Sequence, residues 1–322
     1  MNWIAVLGNA NMDFVVRQPR LPRSGETIVG SGFSIEPGGR GLNQAVAAAR
    51  MGAVVDFVGM VGSDQHGEQL RGVLETEGIR ADGLDSSFLS TGTAHIAVVD
   101  SGVNSIVVVP GANADLTWLS PVQRAHIGAA AFLVLQCELP MAVLAEGLAV
   151  AREAGVFTVL TPAPVVALPV GLPDGFLDLV DLVDLVVPNQ VEAAQLTGES
   201  DPVRAAEILS AGGTWAIVTL GAEGAVVAFD GAVLGLAPAR PVQIVDTSAA
   251  GDTFVGALVA RLAAGAPRGR ADGTEPHRAE GIPEAEMIDA VRWATVAASV
   301  SITRPGAITS MPTLAEVTAI LA

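Results

Sequence analysis

The chain has no tyrosine, a single cysteine and half as many basic residues as acidic ones. Of its 322 residues, 17 are basic and 34 are Asp or Glu, so the formal net charge is −17 at neutral pH. A chain this acidic repels the phosphate backbone of nucleic acids, and nucleic acid is therefore not an expected partner. The one cysteine, Cys137, rules out a disulfide framework within the chain and fits a reducing compartment.

Long apolar runs and targeting signals are also missing from the sequence. No apolar run reaches the ~18 residues that a membrane-spanning helix needs. The first residues lack the basic start and the small-residue cleavage site of a signal peptide. The sequence therefore predicts a protein of the cytoplasm without a membrane partner.

Several catalytic and metal-binding patterns are absent as well. His66, His95, His126 and His277 are too scattered for a zinc site. No G-x-S-x-G elbow and no Walker A loop occur, and the first apolar run is not followed by G-x-G-x-x-G. These absences argue against a serine hydrolase, a P-loop enzyme and a nicotinamide-dependent dehydrogenase.

The apolar content is high enough for a large core, since 50% of the residues are hydrophobic. From about residue 125 onward, apolar strands alternate with helical stretches, which predicts a parallel β-sheet covered by helices on both faces. Two segments with more alternation, about 12–37 and 89–111, predict a small second sheet with one solvated face. No change of composition divides the chain, so we expect residues 1–322 to form one α/β domain with these segments inserted as a lid.

One polar segment, at about 265–286, interrupts the alternation of strands and helices. It contains Gly and Pro and has no periodicity, which predicts a surface loop. A tolerated insertion without a function is the simpler interpretation of this segment.

The segment "DTSAAGDTF" leads into a strongly helical stretch. A helix N-terminus presents unpaired N–H groups and the positive end of the helix dipole, which together attract an anion. Asp252 would lie beside that anion and could accept the proton of an attacking hydroxyl group during phosphoryl transfer. Taken alone, the pattern is better explained by Asp252 or Thr253 capping the helix.

The segment "EPGGRGLNQAVAAAR" places glycines before a second helical stretch. Gly38, Gly39 and Gly41 allow the backbone to approach a ligand closely. Asn43 can both donate and accept hydrogen bonds, as binding to a sugar hydroxyl requires. The alternative is an ordinary glycine turn that starts a helix.

Polar residues also follow two predicted strands. Asn9, Asn11 and Asp13 come after the first strand and are side chains that can bind sugar hydroxyls. Glu138 follows the strand "AAFLVLQ", near the carboxyl edge where open α/β sheets bind ligands. A polar turn and a solvated acidic residue are the alternative explanations.

Asn189 and Glu192 lie three residues apart at the start of a predicted helix. This spacing puts both side chains on one face of the helix, where they could organise a hydrated Mg²⁺ ion. An Asn cap with a Glu at the third helical position explains the same residues, and the pattern alone favours that capping pair.

Each pattern is weak by itself, but their order and spacing resemble the ribokinase, or PfkB, family of carbohydrate kinases over essentially the whole chain. The segments "GGRGLNQAVAAAR", "PNQVEAAQLTG", "DTSAAGDTF" and "ITRPGAITSMP" carry the resemblance. It implies a three-layer α/β/α sandwich with a small β-sheet lid. It also implies ATP-dependent phosphorylation of a sugar hydroxymethyl group, D-ribose first among the candidates, with Mg²⁺ accompanying ATP and a homodimer formed through the lid.

The resemblance further implies roles for individual residues. Asp252 would be the general base, beside an anion hole formed by the N–H groups of Ala249, Ala250 and Gly251. The sugar would contact Asn11, Asp13, Gly39, Arg40, Asn43 and Glu138. The nucleotide would contact Asn189, Thr219, Gly221 and Gly224, and Glu192 would hold Mg²⁺ through water. A monovalent cation, K⁺, would bind near Asp246, Ser248, Ser301, Arg304, Gly306 and Ser310.

Two departures from the family leave the substrate and nucleotide preferences open. The segment at about 265–286, which should lie near the adenine, is longer than the resemblance leads us to expect. Arg40 stands where ribokinases usually carry Lys, and the planar guanidinium differs from a compact ammonium group. A fructokinase, an adenosine kinase or another nucleoside kinase is therefore an alternative, as is a catalytically silent sugar-binding regulator. The lid segment "TAHIAVV" is aliphatic apart from His95, which favours a bare sugar over a nucleoside.

Overall fold

The structure is a computed structural model that describes residues 2–101, 103–164, 179–180, 182–265 and 281–322. The strands are β1 Trp3–Leu7, β2 Asn11–Gln18, β3 Gly32–Gly38, β4 Val54–Gly62, β5 Arg80–Ser87, β6 Gly92–Val99, β7 Asn104–Val109, β8 Phe132–Gln136, β9 Phe157–Thr161, β10 Leu185–Val186, β11 Trp215–Thr219, β12 Ala225–Phe229 and β13 Ala232–Ala237. Most of the predicted surface loop, residues 266–280, lies outside the described residues.

The helices occupy the intervals between strands and the end of the chain. Their bounds are α1 Arg40–Arg50, α2 Gln65–Thr76, α3 Ala112–Asp115, α4 Pro121–Gly128, α5 Met141–Ala154, α6 Gln190–Thr197, α7 Pro202–Leu209, α8 Ala250–Gly265, α9 Glu284–Ser301 and α10 Leu314–Leu321. Gly155 and Gly198 end α5 and α6 in the left-handed conformation that glycine adopts without strain. In the described part of the chain, no helix is both long enough and apolar enough to cross a membrane.

The larger sheet has nine strands in the order β13-β12-β11-β10-β9-β8-β1-β4-β5. Its central strands, such as β8 and β9, are buried at every residue, as expected for a sheet covered on both faces. Ile4 and Val6 of β1 pack into the core beneath α1, α8 and α9, whereas Ala5 and Leu7 pack into the opposite core beneath α4 and α5. The molecule is therefore the three-layer sandwich that the sequence predicts.

One edge of this sheet departs from the predicted parallel arrangement. Strands β11, β12 and β13 pair in antiparallel fashion. A short turn containing the 3₁₀ helix Gly221–Glu223 joins β11 to β12. So short a connection reverses the chain, whereas a parallel pair needs a crossover of a dozen or more residues.

A second sheet has four strands in the order β3-β2-β6-β7, which match to within one residue the two segments predicted to form it. Asp13 pairs with Ala94, and Ala94 pairs with Val108, so these residues share one face of the sheet. The neighbouring residue His95 is on the opposite face, where its ring stacks on Phe14 with centroids 5.3 Å apart. The small sheet thus has an aliphatic face that carries Asp13 and an aromatic face that does not.

Candidate active site

The predicted sugar-binding residues come from segments that meet beyond the carboxyl ends of β1 and β8. Asn9 follows β1 and connects two of these segments. Its Oδ1 accepts a hydrogen bond from the N–H of Gly41 at 3.0 Å, and its Nδ2 donates a short hydrogen bond to Glu138, which follows β8. A Cβ at residue 41 would lie 2.7 Å from the backbone of Asn9, so only glycine allows this approach.

Arg40 lies in the glycine loop and pairs with Glu138, with its Nε 3.3 Å from the Glu138 Oε1. Burial raises the pKa of Glu138 to about 7; the negative charge of Asp252 adds to this, and Arg40 opposes it. Burial alone would lower the pKa of Arg40, but the carboxylates of Asp252, Glu138 and Glu192 outweigh it and raise the pKa. The site is therefore one arginine surrounded by carboxyl groups.

Asp13 projects from β2 into the same region. Its carboxylate lies directly over Gly38, where a Cβ would overlap it. Burial raises the pKa of Asp13 to about 7, with further contributions from Glu138, Glu36 and Asp252. Its buried Oδ1 accepts no hydrogen bond from the described residues, and is thus available to a donor on a ligand.

Asn11, also on β2, is fixed by an asparagine that the sequence analysis did not single out. The Nδ2 of Asn113 donates to the Oδ1 of Asn11 at 2.9 Å and to the carbonyl oxygen of Pro110 at 3.0 Å. Asn113 is buried and also accepts from the N–H of Ala10. It therefore joins the lid strand β2 to the loop that follows β7.

Asp252 is buried in the first turn of α8, and amide groups of α1 hold both of its carboxylate oxygens. The Nδ2 of Asn43 donates to Oδ2 at 3.0 Å, and the Nε2 of Gln44 donates to Oδ1 at 3.0 Å. The hydroxyl of Thr253 donates to the carbonyl oxygen of Ala249 at 2.9 Å. Neither side chain caps α8, so the capping explanation of the "GDT" pattern is wrong.

The predicted anion hole has a strained backbone. Ala249 has φ 53°, which is a left-handed conformation. Among the described residues other than glycine, only Ala249 and Asp230 have a positive φ. The N–H of Ala250 donates to the carbonyl oxygen of Thr247 at 3.3 Å, and the N–H of Thr253 donates to that of Ala249. The N–H of Gly251, in the first turn of α8, has no backbone acceptor among the described residues, and the start of a helix is where an anion is stabilised.

On the predicted nucleotide side, the structure brings Asn189 and Thr219 together as a β-bridge. Asn189 and Glu192 form a capping box: the Asn189 Oδ1 accepts from the N–H of Glu192, and the Glu192 Oε2 accepts from the N–H of Asn189 at 2.8 Å. The capping explanation is therefore correct here, and it uses one of the two Glu192 carboxylate oxygens. Gly221 and Gly224 form the tight turn after β11, both at positive φ.

Part of the predicted cation site is assembled. Asp246 accepts hydrogen bonds from the N–H and hydroxyl of Ser248 and from the N–H of Gly306 at 2.9 Å. Burial would raise the pKa of Asp246, but these hydrogen bonds outweigh it and lower the pKa.

The other three predicted cation-site residues use their side chains elsewhere. The hydroxyls of Ser301 and Ser310 donate to carbonyl oxygens within their own turns, and Arg304 pairs with Glu316. The residues that the structure describes contain no group of three or more His, Cys, Asp or Glu side chains suited to a metal ion. Either cation would consequently need backbone oxygens, water or a bound phosphate in addition to any carboxylate.

Two buried glutamines that no sequence pattern singled out lie next to this site. Gln44 follows Asn43 in the glycine segment, and its contact with Asp252 was not foreseen. Gln136 ends β8 and donates to the Oε1 of Gln44 at 2.7 Å. The adjacent pair of amides, Asn43 and Gln44, was a signal that could have suggested a common target, whereas nothing near Gln136 in the sequence points to it.

Known proteins agree with this architecture. The pfkB family carbohydrate kinases match residues 1–314. The chain belongs to this family. A ribokinase of Haemophilus influenzae is 36% identical to this pfkB kinase over 324 residues, which cover 97% of this chain and 96% of that protein. A ribokinase of Bacillus subtilis is 34% identical over 323 residues and covers both chains completely.

A solved pfkB-type structure has the same fold. The Arabidopsis thaliana ribokinase complexed with ribose and ATP superposes with a TM-score of 0.84 at 28% identity, covering 100% of this chain and 99% of that one. The predicted family, the α/β/α sandwich with its small sheet and the carbohydrate kinase activity are therefore confirmed. The roles of individual residues remain predictions.

Proposed function

We propose that this carbohydrate kinase transfers the γ-phosphoryl group of ATP to the hydroxymethyl oxygen of D-ribose, with Asp252 as the general base. The ribokinases of Haemophilus influenzae and Bacillus subtilis, at 36% and 34% identity, support the choice of sugar. The observation that carries the mechanism is the position of the Asp252 carboxylate. It is buried at the N-terminus of α8 and is oriented by the side-chain amide groups of Asn43 and Gln44 on α1.

The proposed reaction follows from this arrangement. The sugar hydroxyl oxygen bonds to the γ-phosphorus, its proton passes to the Asp252 carboxylate, and the bond from phosphorus to the departing ADP oxygen breaks. The N–H groups at the start of α8, in the segment Ala249, Ala250 and Gly251, stabilise the charge on the transferred group. Catalysis here is mainly positioning and electrostatic stabilisation.

The sugar would be held by the polar groups around Arg40. Asp13 and Glu138, whose pKa values are about 7, can accept or donate hydrogen bonds near neutral pH. Arg40 supplies a positive charge beside the transferred phosphoryl group in an otherwise acidic protein. The remaining contacts are proposed for Asn11, Gly39 and Asn43.

We assign the nucleotide to Asn189, Thr219, Gly221 and Gly224. The Glu192 oxygen that the capping box leaves unused would hold a water ligand of Mg²⁺, an ion that usually keeps several waters in proteins. When bound, Mg²⁺ neutralises part of the charge on the phosphates. The single carboxylate fits such a water-mediated site better than a site with several protein ligands.

A bare sugar suits the lid better than a nucleoside does. The face of the small sheet that carries Asp13 presents Ala94, Ile96 and Val108, as the strand registers require. A nucleobase would gain most from an aromatic surface. His95 and Phe14 stack on each other on the opposite face, away from Asp13.

We also propose a K⁺ site behind the anion hole and a homodimer through the lid. Asp246, Ser248 and Gly306 offer an ionised carboxylate and backbone oxygens to a monovalent cation. On the lid, Phe33, Ile35 and Val107 are 64%, 45% and 64% exposed on the face opposite Asp13. A second copy of the chain that covered these side chains would remove apolar surface from water.

Replacement of Asp252 by Asn tests the central assignment. D252N should lose ATP-dependent phosphorylation of ribose by at least ~100-fold, because the proton acceptor is gone, while ribose binding measured by calorimetry persists. Near-normal turnover by D252N would refute the assignment of the base. Assays of D-ribose, fructose and adenosine with ATP and Mg²⁺ identify the preferred acceptor.

The cation and the dimer need separate measurements. Activity in KCl should exceed activity in choline chloride of equal ionic strength, and equal rates would rule out the K⁺ site.

Light scattering should report a dimer that Val107→Lys weakens. Val203→Lys, at an exposed residue of α7, should leave the dimer intact. A wild-type monomer would refute the proposed lid interface.

A further inference from the structure

The two buried glutamines form a chain of amide groups that ends on the proposed base. The Nε2 of Gln136 donates to the Oε1 of Gln44 at 2.7 Å, and the Nε2 of Gln44 donates to the Asp252 Oδ1 at 3.0 Å. Gln136 is fully buried and Gln44 is 1% exposed. The same Nε2 of Gln44 lies 3.3 Å from the hydroxyl of Thr161 at the end of β9.

The chain of amides has a direction. An ionised carboxylate only accepts hydrogen bonds, so the NH₂ end of Gln44 must face Asp252. The oxygen end of Gln44 then faces Gln136, which must present its own NH₂ group. Reversal of either amide would place two acceptors against each other.

The backbone around the two glutamines holds them closely. A Cβ at Gly8 would overlap the Oε1 of Gln136, and a Cβ at Gly256 would lie 2.6 Å from the carbonyl oxygen of Gln44. Glycine at residue 8, just after β1, lets the backbone approach the side chain of Gln136, and glycine at residue 256 lets α8 approach the backbone of α1 at Gln44. Gln44 directly follows Asn43 in α1, so two adjacent residues donate to the two carboxylate oxygens of Asp252.

We propose that Gln44 and Gln136 are positioning residues for phosphoryl transfer, an inference that rests on the proposed role of Asp252 as base. Gln136 orients the amide of Gln44, and Gln44 together with Asn43 fixes the plane of the Asp252 carboxylate. Neither glutamine contacts the sugar in this arrangement. Their removal therefore affects the rate of the chemical step more than the binding of sugar.

Two substitutions at residue 136 separate orientation from packing. When the carboxyl group introduced by Q136E is ionised it cannot donate, so the Oε1 of Gln44 faces a second acceptor and the amide of Gln44 loses its fixed orientation. When that group is protonated it still donates, so the loss of kcat should grow as pH rises. We expect kcat to fall by about 10- to 100-fold while KM for ribose changes by less than about threefold. In Q136L residue 136 neither donates nor accepts, so only Asp252 and Thr161 hold the amide of Gln44. We expect kcat to fall by about three- to tenfold, which is less than in Q136E.

The variant Q44L removes the second amide from Asp252 and should also lower kcat by about 10- to 100-fold at nearly constant KM. In the Q44L background, Q136E should have no further effect on kcat, because the residue through which it acts is gone. Equal losses from Q136E in both backgrounds, or equal kcat values for Q136E and Q136L, would overturn the proposal. If Q136E does not fold, wild-type kcat in Q44L overturns it instead.

Gln123 provides a matched control. It is a fully buried glutamine whose Nε2 donates to the carbonyl oxygens of Gly59 and Gly83, away from the site. Q123E should lower thermal stability without changing the kcat of the folded enzyme. An active D252N variant would refute the base itself, whereas an inactive D252N with a fully active Q44L would refute only the positioning role.

Discussion

Arg40 stands in a chain that contains no lysine: all 17 basic residues are arginines. Its place in the glycine loop, where the family usually carries Lys, therefore agrees with the composition of the whole protein and does not by itself indicate a different substrate. The side chain pairs with Glu138 through Nε, and among the described residues its terminal nitrogens have no ion-pair partner, so they could bind a phosphoryl oxygen or a sugar hydroxyl.

Substitution of Arg40 should reveal which of its properties matters. Arg40→Lys keeps the charge and should lower kcat/KM for ribose by about tenfold or less. Arg40→Met removes the positive charge from among three carboxylates and should lower kcat/KM by about 100-fold, since hydrogen bonds to charged groups contribute about 1.5–3 kcal/mol. Steady-state kinetics measure both, and a fully active Met variant would show that Arg40 contacts neither substrate.

The two carboxyl groups beside Arg40 should make stability depend on pH. The pKa values of Asp13 and Glu138, both about 7 in the folded protein, exceed their ordinary values of 3.8 and 4.5. The folded state consequently binds protons more tightly than the unfolded state, so this contribution to stability is present at low pH and disappears as pH rises from about 4 to about 7.

We therefore expect Tm of the substrate-free protein to fall between pH 5 and pH 7, with a shallower fall in Glu138→Gln, as measured by scanning calorimetry. A Tm that is constant or rises across this range would contradict the raised pKa values. If Tm falls equally steeply with pH in Glu138→Gln, groups other than Glu138 cause the fall.

At the scale of elements, the crossing of α1 and α8 decides the geometry of the site. The helices touch at Gly256, where a Cβ would lie 2.5 Å from the Cβ of Ala47. Since Asn43 and Gln44 lie on one helix and Asp252 on the other, any change in this spacing moves the Asp252 carboxylate, the proposed base, relative to its hydrogen-bond donors.

Gly256→Ala should separate the two helices, lowering the free energy of unfolding by about 1–3 kcal/mol, and should reduce kcat as well. Gly72 is the matched control, because it is an exposed glycine of α2 with nothing within 4 Å of an added Cβ. Gly72→Ala should stabilise the protein by about 0.5–1 kcal/mol and leave kcat unchanged. Urea denaturation measures the free energy of unfolding of both variants, and equal values would contradict this prediction.

Local sequence patterns foretold some elements and not others. Gly155 and Gly198 mark the ends of α5 and α6 because a left-handed glycine stops a helix whatever surrounds it. The antiparallel edge at β12 and β13 was not foreseen, because apolar runs indicate burial and not strand direction. The contact between Gln44 and Asp252 was equally invisible, since it spans 208 residues.

At the scale of the whole molecule, the net charge of −17 should oppose folding through self-repulsion. Added salt screens this repulsion over a Debye length of about 10 Å at 0.1 M. Choline chloride should therefore raise Tm, although choline is too large for the proposed K⁺ site. A Tm unaffected by choline chloride but raised by KCl would mean that site binding, and not screening, stabilises the fold.

The 209 residues that separate Asn43 from Asp252 also bear on the order of protein synthesis. The glycine loop and the lid leave the ribosome long before α8 does. A nascent chain that has reached residue 240 carries the proposed sugar-binding groups and the capping box of Asn189, but neither the base nor the anion hole. With Asp252 as the proposed base, we therefore expect phosphoryl transfer to begin only after α8 has been made and has docked against α1, so that an incomplete chain does not consume ATP.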